Sequence, residues 1–362
     1  MTENNDILIE VKDLRIEFDV RAGIVKAVDG LNMTIKRGKT LGVIGESGCG
    51  KSMTARAILN MIPKPGKITS GSITYYRRPK HGEGKEEVID LTKLESDGKT
   101  IREIRGGEIG MIFQEPMSSL TPVYTAGTHI FEAVSLHQLV PVKKIGDQLA
   151  DNIAKSRNVT KEEGREIAID MLRRVGIPKP EERVDSYPHQ LSGGQRQRVM
   201  IAVALSCGPA LLIADEPTTA LDVSIEAQIL DIMRELQASS NMAIMFITHN
   251  LGVIAGMAEE IIVMYLGKAV ERATVLDLFQ NPKHPYTQSL LKSIPTLGKK
   301  TKGERLASIS GMVPDPFHLP TGCVFHPRCP AFMPGKCDVV APTQTQVGKD
   351  HTVSCLLYDG KA

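Results

Sequence analysis

One segment of the chain has the residue types and spacing of a phosphate-binding loop. It reads Gly45-Glu46-Ser47-Gly48-Cys49-Gly50-Lys51-Ser52 and lies between an apolar run and a stretch of helical composition. Glycines allow backbone N–H groups to converge on an anion, and the N-terminal end of the following helix adds positive potential. We expect Lys51 to reach the β- and γ-phosphates of a nucleotide, Ser52 to ligate Mg²⁺ and the nucleotide contacts to extend to Met53. A chance glycine-rich turn is the alternative, and the strand-loop-helix context disfavours it.

Two adjacent carboxylates, Asp215 and Glu216, follow the apolar run 210–214. A continuous apolar run is typical of a parallel strand buried on both faces. Asp215 is expected to hold Mg²⁺ through its water shell, and Glu216 to polarise an attacking water as the general base. A solvated turn after a strand is the alternative, and the phosphate loop upstream favours the catalytic interpretation.

Two further polar residues are weaker candidates. His249 ends another apolar run, in Thr248-His249-Asn250, at the place where a sensor of the γ-phosphate would stand. A histidine at a strand end is by itself more often structural. Gln114 carries no signal alone, and its candidacy depends on its position in a family described below.

The elements that must position these residues follow from the hydrophobic pattern. Four apolar runs predict buried strands, at 41–44, 210–214, 243–247 and 261–264. Between the second and third runs, Ile225, Ile229, Met233 and Leu236 recur on one helical face. Strands alternating with helices predict an α/β fold with a mostly parallel sheet covered on both sides.

Changes in composition predict the domain organisation. The polar, helix-rich region 115–188 is expected to be a helical subdomain inserted into a sheet domain formed by 1–114 and 189–295. Seven of the chain's 21 prolines lie in 296–362, where periodicity is weak. We therefore expect a separate small C-terminal module there.

Charge and hydropathy exclude several classes of function. The formal charge of +2 and the lack of a basic stripe give no case for nucleic-acid binding. The first eleven residues are polar and acidic, so no signal peptide is expected. The most apolar stretch, 199–214, is broken at Gly208-Pro209 and predicts a helix end and a buried strand, not a membrane span.

With these motifs assembled, the chain resembles the ATP-binding-cassette (ABC) ATPase subunits over residues 5–295. The phosphate loop, Gln114, the segment Leu191-Ser192-Gly193-Gly194-Gln195, Asp215-Glu216, the Ala220-Leu221-Asp222 loop and His249 follow in the family's order. The resemblance implies a P-loop NTPase fold, a head-to-tail ATPase pair, and ATP held between one subunit's phosphate loop and the other's Ser-Gly-Gly-Gln segment.

The same resemblance assigns roles to individual residues. It implies that Ser192 touches the γ-phosphate across the interface, that Gln114 contacts Mg²⁺ or the attacking water, and that Asp222 runs along the dimer interface. An aromatic residue ahead of the loop would stack on adenine. The stretch 22–25 has none, so Phe18 is the nearest candidate, with a core strand position as the alternative.

The tail resembles the C-terminal region of oligopeptide and dipeptide importer ATPases. The resemblance is carried by His284-Pro285-Tyr286-Thr287 and by 322–330, which reads GCVFHPRCP. Some members of that family hold a [4Fe–4S] cluster on tail cysteines, and the prediction is a structural iron–sulfur cluster on Cys323, Cys329, Cys337 and Cys355. A Zn²⁺ site and four unliganded buried cysteines are the alternatives. A metal clip would staple a module with little core of its own.

The resulting hypothesis is a peripheral ATPase on the cytoplasmic face of the membrane that powers a peptide importer. Its cofactors would be ATP and Mg²⁺. Its partners would be a second, non-identical ATPase subunit, two transmembrane permease subunits and an external substrate-binding protein. The same motor in an importer of nickel or oligosaccharides is the alternative, and a soluble ABC-type ATPase acting on ribosomes or DNA is a remote one.

Overall fold

The described part of the chain forms two units. The computed structural model describes residues 6–78, 86–105, 107–113, 161–187, 190–206, 208–218, 223–293 and 309–360. The first unit comprises residues 1–35, 40–92 and 246–362, and the second comprises 36–39 and 93–245.

Strands and helices alternate along much of the chain. The strands are β1 Ile7–Val20, β2 Gly23–Lys36, β3 Thr40–Ile44, β4 Gly66–Arg77, β5 Glu87–Asp90, β6 Ile109–Ile112, β7 Leu211–Asp215, β8 Ala243–Ile247, β9 Glu260–Tyr265, β10 Lys268–Thr274, β11 Thr345–Gly348 and β12 His351–Val353. The helices are α1 Lys51–Ile58, α2 Lys99–Ile104, α3 Lys161–Arg174, α4 Pro180–Arg183, α5 Gly193–Leu205, α6 Val223–Ser240, α7 Leu251–Met257, α8 Val275–Gln280 and α9 Pro285–Lys292, with short 3₁₀ helices at Leu91–Lys93 and His326–Arg328.

The first unit contains an antiparallel sheet that the sequence pattern did not predict. Its strand order is β2-β1-β4-β5. Buried residues such as Leu8, Leu14 and Ile16 alternate irregularly with exposed ones along β1, because the β1–β4 register shifts between Lys12 and Ile16. The irregular alternation hides the strand from a search for strict period two.

A second sheet of the first unit carries the phosphate loop. The strands of this sheet that belong wholly to the first unit lie in the order β11-β12-β10-β9-β3. β3 and β9 are parallel and completely or almost completely buried, as the apolar runs at 41–44 and 261–264 predicted. β9 and β10 are antiparallel and joined at Leu266-Gly267, where both residues have positive φ, as a tight right-twisted hairpin turn requires.

The tail extends this sheet at its edge. β12 pairs with β10 in antiparallel fashion, and β11 pairs with β12. The amide of Ser354 also donates to the carbonyl of Val270 at 2.8 Å. Residues 345–354 thus bury the edge of β10 and satisfy its backbone groups.

The second unit combines parallel strands with helices. β6 and β7 are parallel, and the amide of Ala243 at the start of β8 donates to the carbonyl of Ala210 just before β7. Helix α5 packs so closely on β6 that a Cβ at Gly110 would lie 2.5 Å from the carbonyl oxygen of Ala204. The apolar face predicted at 225–236 lies on α6, where Ile229 and Met233 are fully buried.

The helices of the described residues differ from membrane-spanning helices. Among the described residues, none of the helices is both long enough and apolar enough to cross a bilayer. The predicted helix-and-strand reading of 199–214 agrees with α5 ending at Leu205 and β7 starting at Leu211.

Candidate functional site

The loop between β3 and α1 has the backbone shape that only glycines allow. Gly45 has φ 151° and Gly50 has φ 100°. A Cβ at Gly45 would lie 2.2 Å from the carbonyl oxygen of Met264, and one at Gly50 would lie 2.3 Å from that of Ala27. Side chains are therefore excluded at both positions by conformation and by close neighbours.

Lys51 lies inside this loop. Its side chain is buried, and Nζ donates to the carbonyls of Gly45 at 2.8 Å and Glu46 at 3.0 Å. Gly50 is the N-cap of α1 and makes no side-chain cap, and the first turn has no acidic residue. The positive end of α1 and the Lys51 ammonium therefore act on the same space, as an anion site requires.

Hydrogen bonds with other residues of the first unit hold the phosphate loop in place. Gly267 in the β9–β10 turn donates its amide to the carbonyl of Cys49 at 3.1 Å. Glu46 donates its amide to the Tyr286 hydroxyl at 3.0 Å, and its carboxylate accepts from Arg328. Tyr286 and Arg328 were not predicted as loop contacts, although they lie in the tail motifs 284–287 and 322–330.

The structure brings His249 to the same edge of the sheet as the phosphate loop. The amide of Thr248 donates to the carbonyl of Val43 at 3.4 Å, so the chain leaves β8 beside the end of β3. His249 is exposed there, and Asn250 caps α7 by accepting from the amide of Gly252. This position is compatible with a γ-phosphate sensor, and that role stays a prediction.

Asp215 and Glu216 lie in the second unit at the carboxyl end of β7. Asp215 is the last residue of this buried strand and is only 3% exposed. Glu216 is half-buried and adopts the left-handed conformation, with φ 50°. A non-glycine residue held there is strained by about 1–3 kcal/mol, and such strain concentrates at functional sites. This signal could not be read from residue types.

The segment 191–195 starts helix α5 with a complete capping box. The Ser192 hydroxyl accepts from the amide of Gln195, and the Gln195 side chain accepts from the amide of Ser192. Leu191 anchors the turn in the core, and a Cβ at Gly194 would lie 3.2 Å from the Ile225 side chain. Ser192 and Gly193 remain exposed at the positive end of a 13-residue helix, which suits an anion from another molecule.

Phe18 lies near the end of β1, opposite Gly66 of β4. It is half-buried, and a Cβ at Gly66 would lie 2.6 Å from its ring. The structure therefore gives Phe18 a packing role, and adenine stacking stays a prediction. Gln114 and Asp222 lie outside the described residues.

The prediction of an iron–sulfur cluster in the tail is wrong, and so is its zinc alternative. Among the described residues, which include Cys323, Cys329, Cys337 and Cys355, no group of three or more histidine, cysteine or acidic side chains could hold a metal ion. Burial raises the pKa of the thiols of Cys323, Cys329 and Cys355, the last to about 11. Buried neutral thiols pack as small apolar groups.

A metal site was predicted in the tail partly because the tail was expected to have little hydrophobic core of its own. Phe325 is fully buried, and its ring centroid lies 5.2 Å from that of Tyr265 and 5.3 Å from that of Tyr286. Val353 of β12 is also fully buried. The tail shares the core of the first unit, so it is held without a metal staple.

A buried polar cluster also joins the tail to β10. Glu271 of β10 is 1% exposed, and its carboxylate accepts from the amides of Lys283 and His284 and contacts Nε2 of His351 at 2.7 Å. Burial by itself would raise the pKa of Glu271, but hydrogen bonds to its carboxylate, the strongest of them from His351, outweigh burial and lower the pKa.

His284 is buried and caps α9, where its Nδ1 accepts from the amide of Tyr286 at 3.0 Å. Burial lowers its pKa from 6.5 to about 4. Between these values the unfolded chain binds a proton that the folded chain does not, so acid favours unfolding. We expect the free energy of unfolding to fall by up to about 3 kcal/mol between pH 6.5 and pH 4 through this residue.

This prediction is tested by urea unfolding, followed by circular dichroism, across that range. His284→Asn retains a capping acceptor but does not titrate, so its stability should fall less steeply with acid than that of the wild type. His318→Asn is the control, because the His318 side chain is 84% exposed. Equal slopes for His284→Asn and the wild type would contradict the prediction.

The residues present fit a nucleotide and its metal. Close neighbours exclude side chains at Gly45 and Gly50 of the loop, and Lys51 supplies a buried positive charge. Ser52 in the first turn of α1 carries a hydroxyl of the kind that Mg²⁺ binds beside phosphates. In the second unit, Asp215 carries a carboxylate, the kind of oxygen group that Mg²⁺ prefers, and its role as a ligand stays a prediction.

Comparison with known proteins agrees with these features. Residues 28–219 match the ABC transporter family, and residues 270–337 match the oligopeptide/dipeptide transporter C-terminal region. A putative peptide import ATP-binding protein of Brucella melitensis is 44% identical over 97% of both chains. The dipeptide transport ATP-binding protein DppD of Haemophilus influenzae is 43% identical over 94% of this chain and 93% of its own length.

Among solved structures, a post-hydrolysis dimer of the ATP-binding cassette MJ0796 bound to ADP and Pi is similar, with a TM-score of 0.57 and 27% identity. It covers 74% of this chain and 99% of that chain. The predicted P-loop α/β fold is thereby confirmed. The chain therefore belongs to the ATP-binding subunits of the ABC transporter family, in the branch that carries the oligopeptide/dipeptide transporter C-terminal region.

Proposed function

We propose that this chain is the ATP-hydrolysing subunit that powers a multi-subunit membrane importer of dipeptides or oligopeptides. The observation that carries the proposal is the glycine-shaped phosphate loop with Lys51 inside it, joined in one chain to the tail region of peptide transporters. Full-length relatives named for peptide import and dipeptide transport support the choice of cargo.

Within this function, the phosphate loop binds the ATP phosphates. Lys51 holds the β- and γ-phosphates, and Ser52 and Asp215 hold Mg²⁺ together with Gln114. Met53 follows in the first turn of α1. Phe18 supplies the surface on which adenine stacks. The burial of Lys51 supports its role, because a charge removed from water acts more strongly on an anion.

The hydrolytic residues lie at strand ends. Glu216 accepts the proton of the attacking water, which Gln114 helps to orient, and His249 senses the γ-phosphate. ATP with Mg²⁺ supplies the reactive phosphoryl group, and these side chains position water and accept its proton. The left-handed backbone of Glu216 supports its assignment, because strain of this kind is retained where a side chain must be aimed.

The segment 191–195 is the part of the site that acts across a dimer interface. Ser192 and Gly193, exposed at the positive end of α5, meet the γ-phosphate bound to a second subunit. Asp222 runs along that interface. We propose a second, non-identical ATPase subunit as the partner. The similar dimer with ADP and Pi supports a paired arrangement.

The remaining partners are two transmembrane permease subunits and an external substrate-binding protein. We propose that the chain lies peripherally at the cytoplasmic face of the membrane. A sheet domain (1–114 and 189–295) would bind ATP, a helical subdomain (115–188) would contact the permeases, and a C-terminal module (296–362) would complete the chain.

Reconstitution with the permease subunits and the binding protein in lipid nanodiscs tests the proposal. We expect dipeptides or oligopeptides to stimulate ATP hydrolysis, and oligosaccharides and Ni²⁺ not to. Stimulation by a sugar or by nickel alone would overturn the assignment of peptides as the transported substrate. Absence of Mg²⁺-dependent ATP hydrolysis in every condition would overturn the assignment as an ATPase.

A further inference from the structure

The tail reaches the phosphate loop through one charged pair. Arg328 donates from Nη1 to Oε2 of Glu46 at 2.7 Å and from Nη2 to Oε1 at 3.1 Å. Glu46 is the second residue of the loop and lies 282 positions away in sequence. The two parallel bonds form the bidentate geometry that fixes a carboxylate in direction as well as in distance.

Arg328 is itself held in one orientation. Its side chain is only 4% exposed, against 29% for Glu46. Nε donates to the carbonyl of Ser310 at 3.1 Å, and Nη1 also donates to the Tyr265 hydroxyl at 3.2 Å. A planar guanidinium fixed at three points is a rigid support, in contrast to a flexible surface cation.

Glu46 is also held through its backbone. Its amide donates to the hydroxyl of Tyr286 at 3.0 Å, and its carbonyl accepts from Nζ of Lys51 at 3.0 Å. The ring of Tyr286 packs against Tyr265 and Phe325, with centroids 4.7 Å and 5.3 Å away. Residues of the tail therefore form hydrogen bonds with both the side chain and the backbone amide of Glu46, and Lys51 donates to its carbonyl.

We propose that Arg328 is a positioning residue for ATP binding, which keeps the phosphate loop in its anion-binding shape by holding Glu46. The inference rests on the proposed function, because it concerns the affinity of that same loop. Arg328 touches no reacting atom. It acts by pre-organisation, since a loop already ordered spends less binding free energy on becoming ordered.

A purely structural role would make a different prediction. If Arg328 only fastened the tail, its loss would lower the unfolding temperature and leave nucleotide affinity unchanged. Arg272 provides the matched control, because it forms another partly buried pair in the same unit, with Glu260 at 2.6 Å. The Arg272 guanidinium bonds Glu260 of β9 and Thr34 of β2, and both partners lie outside the phosphate loop.

The test is calorimetric titration of the full chain with Mg²⁺ and the non-hydrolysable imido analogue of ATP. We expect Arg328→Gln and Glu46→Gln each to raise Kd about tenfold. Arg272→Gln should leave Kd unchanged with a comparable loss of Tm. The double variant Arg328→Gln/Glu46→Gln should have the same Kd as either single variant, because the two residues act as one unit.

Two milder variants keep the test decisive if Arg328→Gln does not fold. Arg328→Lys retains the charge without the bidentate geometry, and it should raise Kd by less. Tyr286→Phe removes only the hydroxyl bonded to the Glu46 amide and should also weaken binding. Tyr358→Phe is its control, because that hydroxyl bonds the carbonyl of Lys283.

The outcomes separate this inference from the proposed function. A wild-type chain that fails to bind the analogue would overturn both. If the wild-type chain binds the analogue and the Arg328 and Tyr286 variants bind it with the same Kd, only the positioning role is overturned. Independent, multiplicative effects of Arg328→Gln and Glu46→Gln on Kd would also overturn it, because Arg328 would then act by another route.

Discussion

Glu216→Gln is expected to lower the turnover number for ATP hydrolysis by about 10²- to 10⁴-fold, the contribution typical of a general base. The substitution preserves side-chain size but removes the group that accepts a proton. Affinity for ATP should remain at the wild-type level, since Glu216 contributes to the reaction and not to phosphate binding. Steady-state phosphate release and equilibrium ATP binding, measured on the same preparations, check both statements.

The structure makes this variant well suited to the test. Glu216 holds φ at 50°, and glutamine meets the same backbone strain as glutamate, so the change is confined to the carboxylate. Glu235→Gln is the control, because Glu235 is an exposed glutamate on α6 of the same unit. It should leave turnover unchanged.

A second readout follows from the dimer proposed above. A variant that binds ATP without hydrolysing it should accumulate as a closed ATPase pair when ATP is added, and elute earlier in gel filtration with the partner subunit present. Turnover at the wild-type rate in Glu216→Gln would exclude Glu216 as the base.

Local patterns in the sequence predicted the central elements of the fold. The run 41–44 became the strand Thr40–Ile44, and the run 210–214 became Leu211–Asp215. These predictions succeeded because a strand buried on both faces must be apolar throughout, and a phosphate loop needs glycines at fixed places. Both requirements are local in sequence.

Features that depend on distant residues could not be predicted in this way. The pair of Arg328 and Glu46 joins residues 282 positions apart, and nothing in either neighbourhood indicates the other. The tail cysteines show the same limit. The family resemblance and the number of cysteines suggested a metal, whereas their surroundings, with Phe325 packed on Tyr265 and Tyr286, could not be seen in the sequence.

Two local features of the sequence have a physical explanation in helix capping. Ser192 and Gln195 have the spacing of a capping box, which orders the start of α5. His284 precedes a proline at the start of α9, and this is the position of an N-cap. Both belong to motifs that carry the family resemblance, and helix-capping chemistry explains why those residue types occur there.

Lys51→Ala is expected to raise the Kd for ATP at least tenfold and up to about a hundredfold, since a hydrogen bond to a charged group contributes about 1.5–3 kcal/mol. The variant removes a buried positive charge from the loop. It also removes the bonds from Nζ to the carbonyls of Gly45 and Glu46, at 2.8 Å and 3.0 Å. Isothermal titration with ATP measures the change, and Lys12→Ala, on the exposed side of β1, is the control.

The loss of charge and the loss of loop order can be separated by the ligand used. AMP lacks the β- and γ-phosphates that Lys51 is proposed to hold, so the charge contributes to ATP affinity and not to AMP affinity. If the loss of charge causes most of the effect, Lys51→Ala should reduce the difference between the affinities for ATP and for AMP. If the carbonyl bonds dominate, both affinities should weaken together, as they would when Arg328 releases Glu46. An unchanged affinity for ATP would remove the phosphate-loop assignment, because no other buried cation of the loop could replace Lys51.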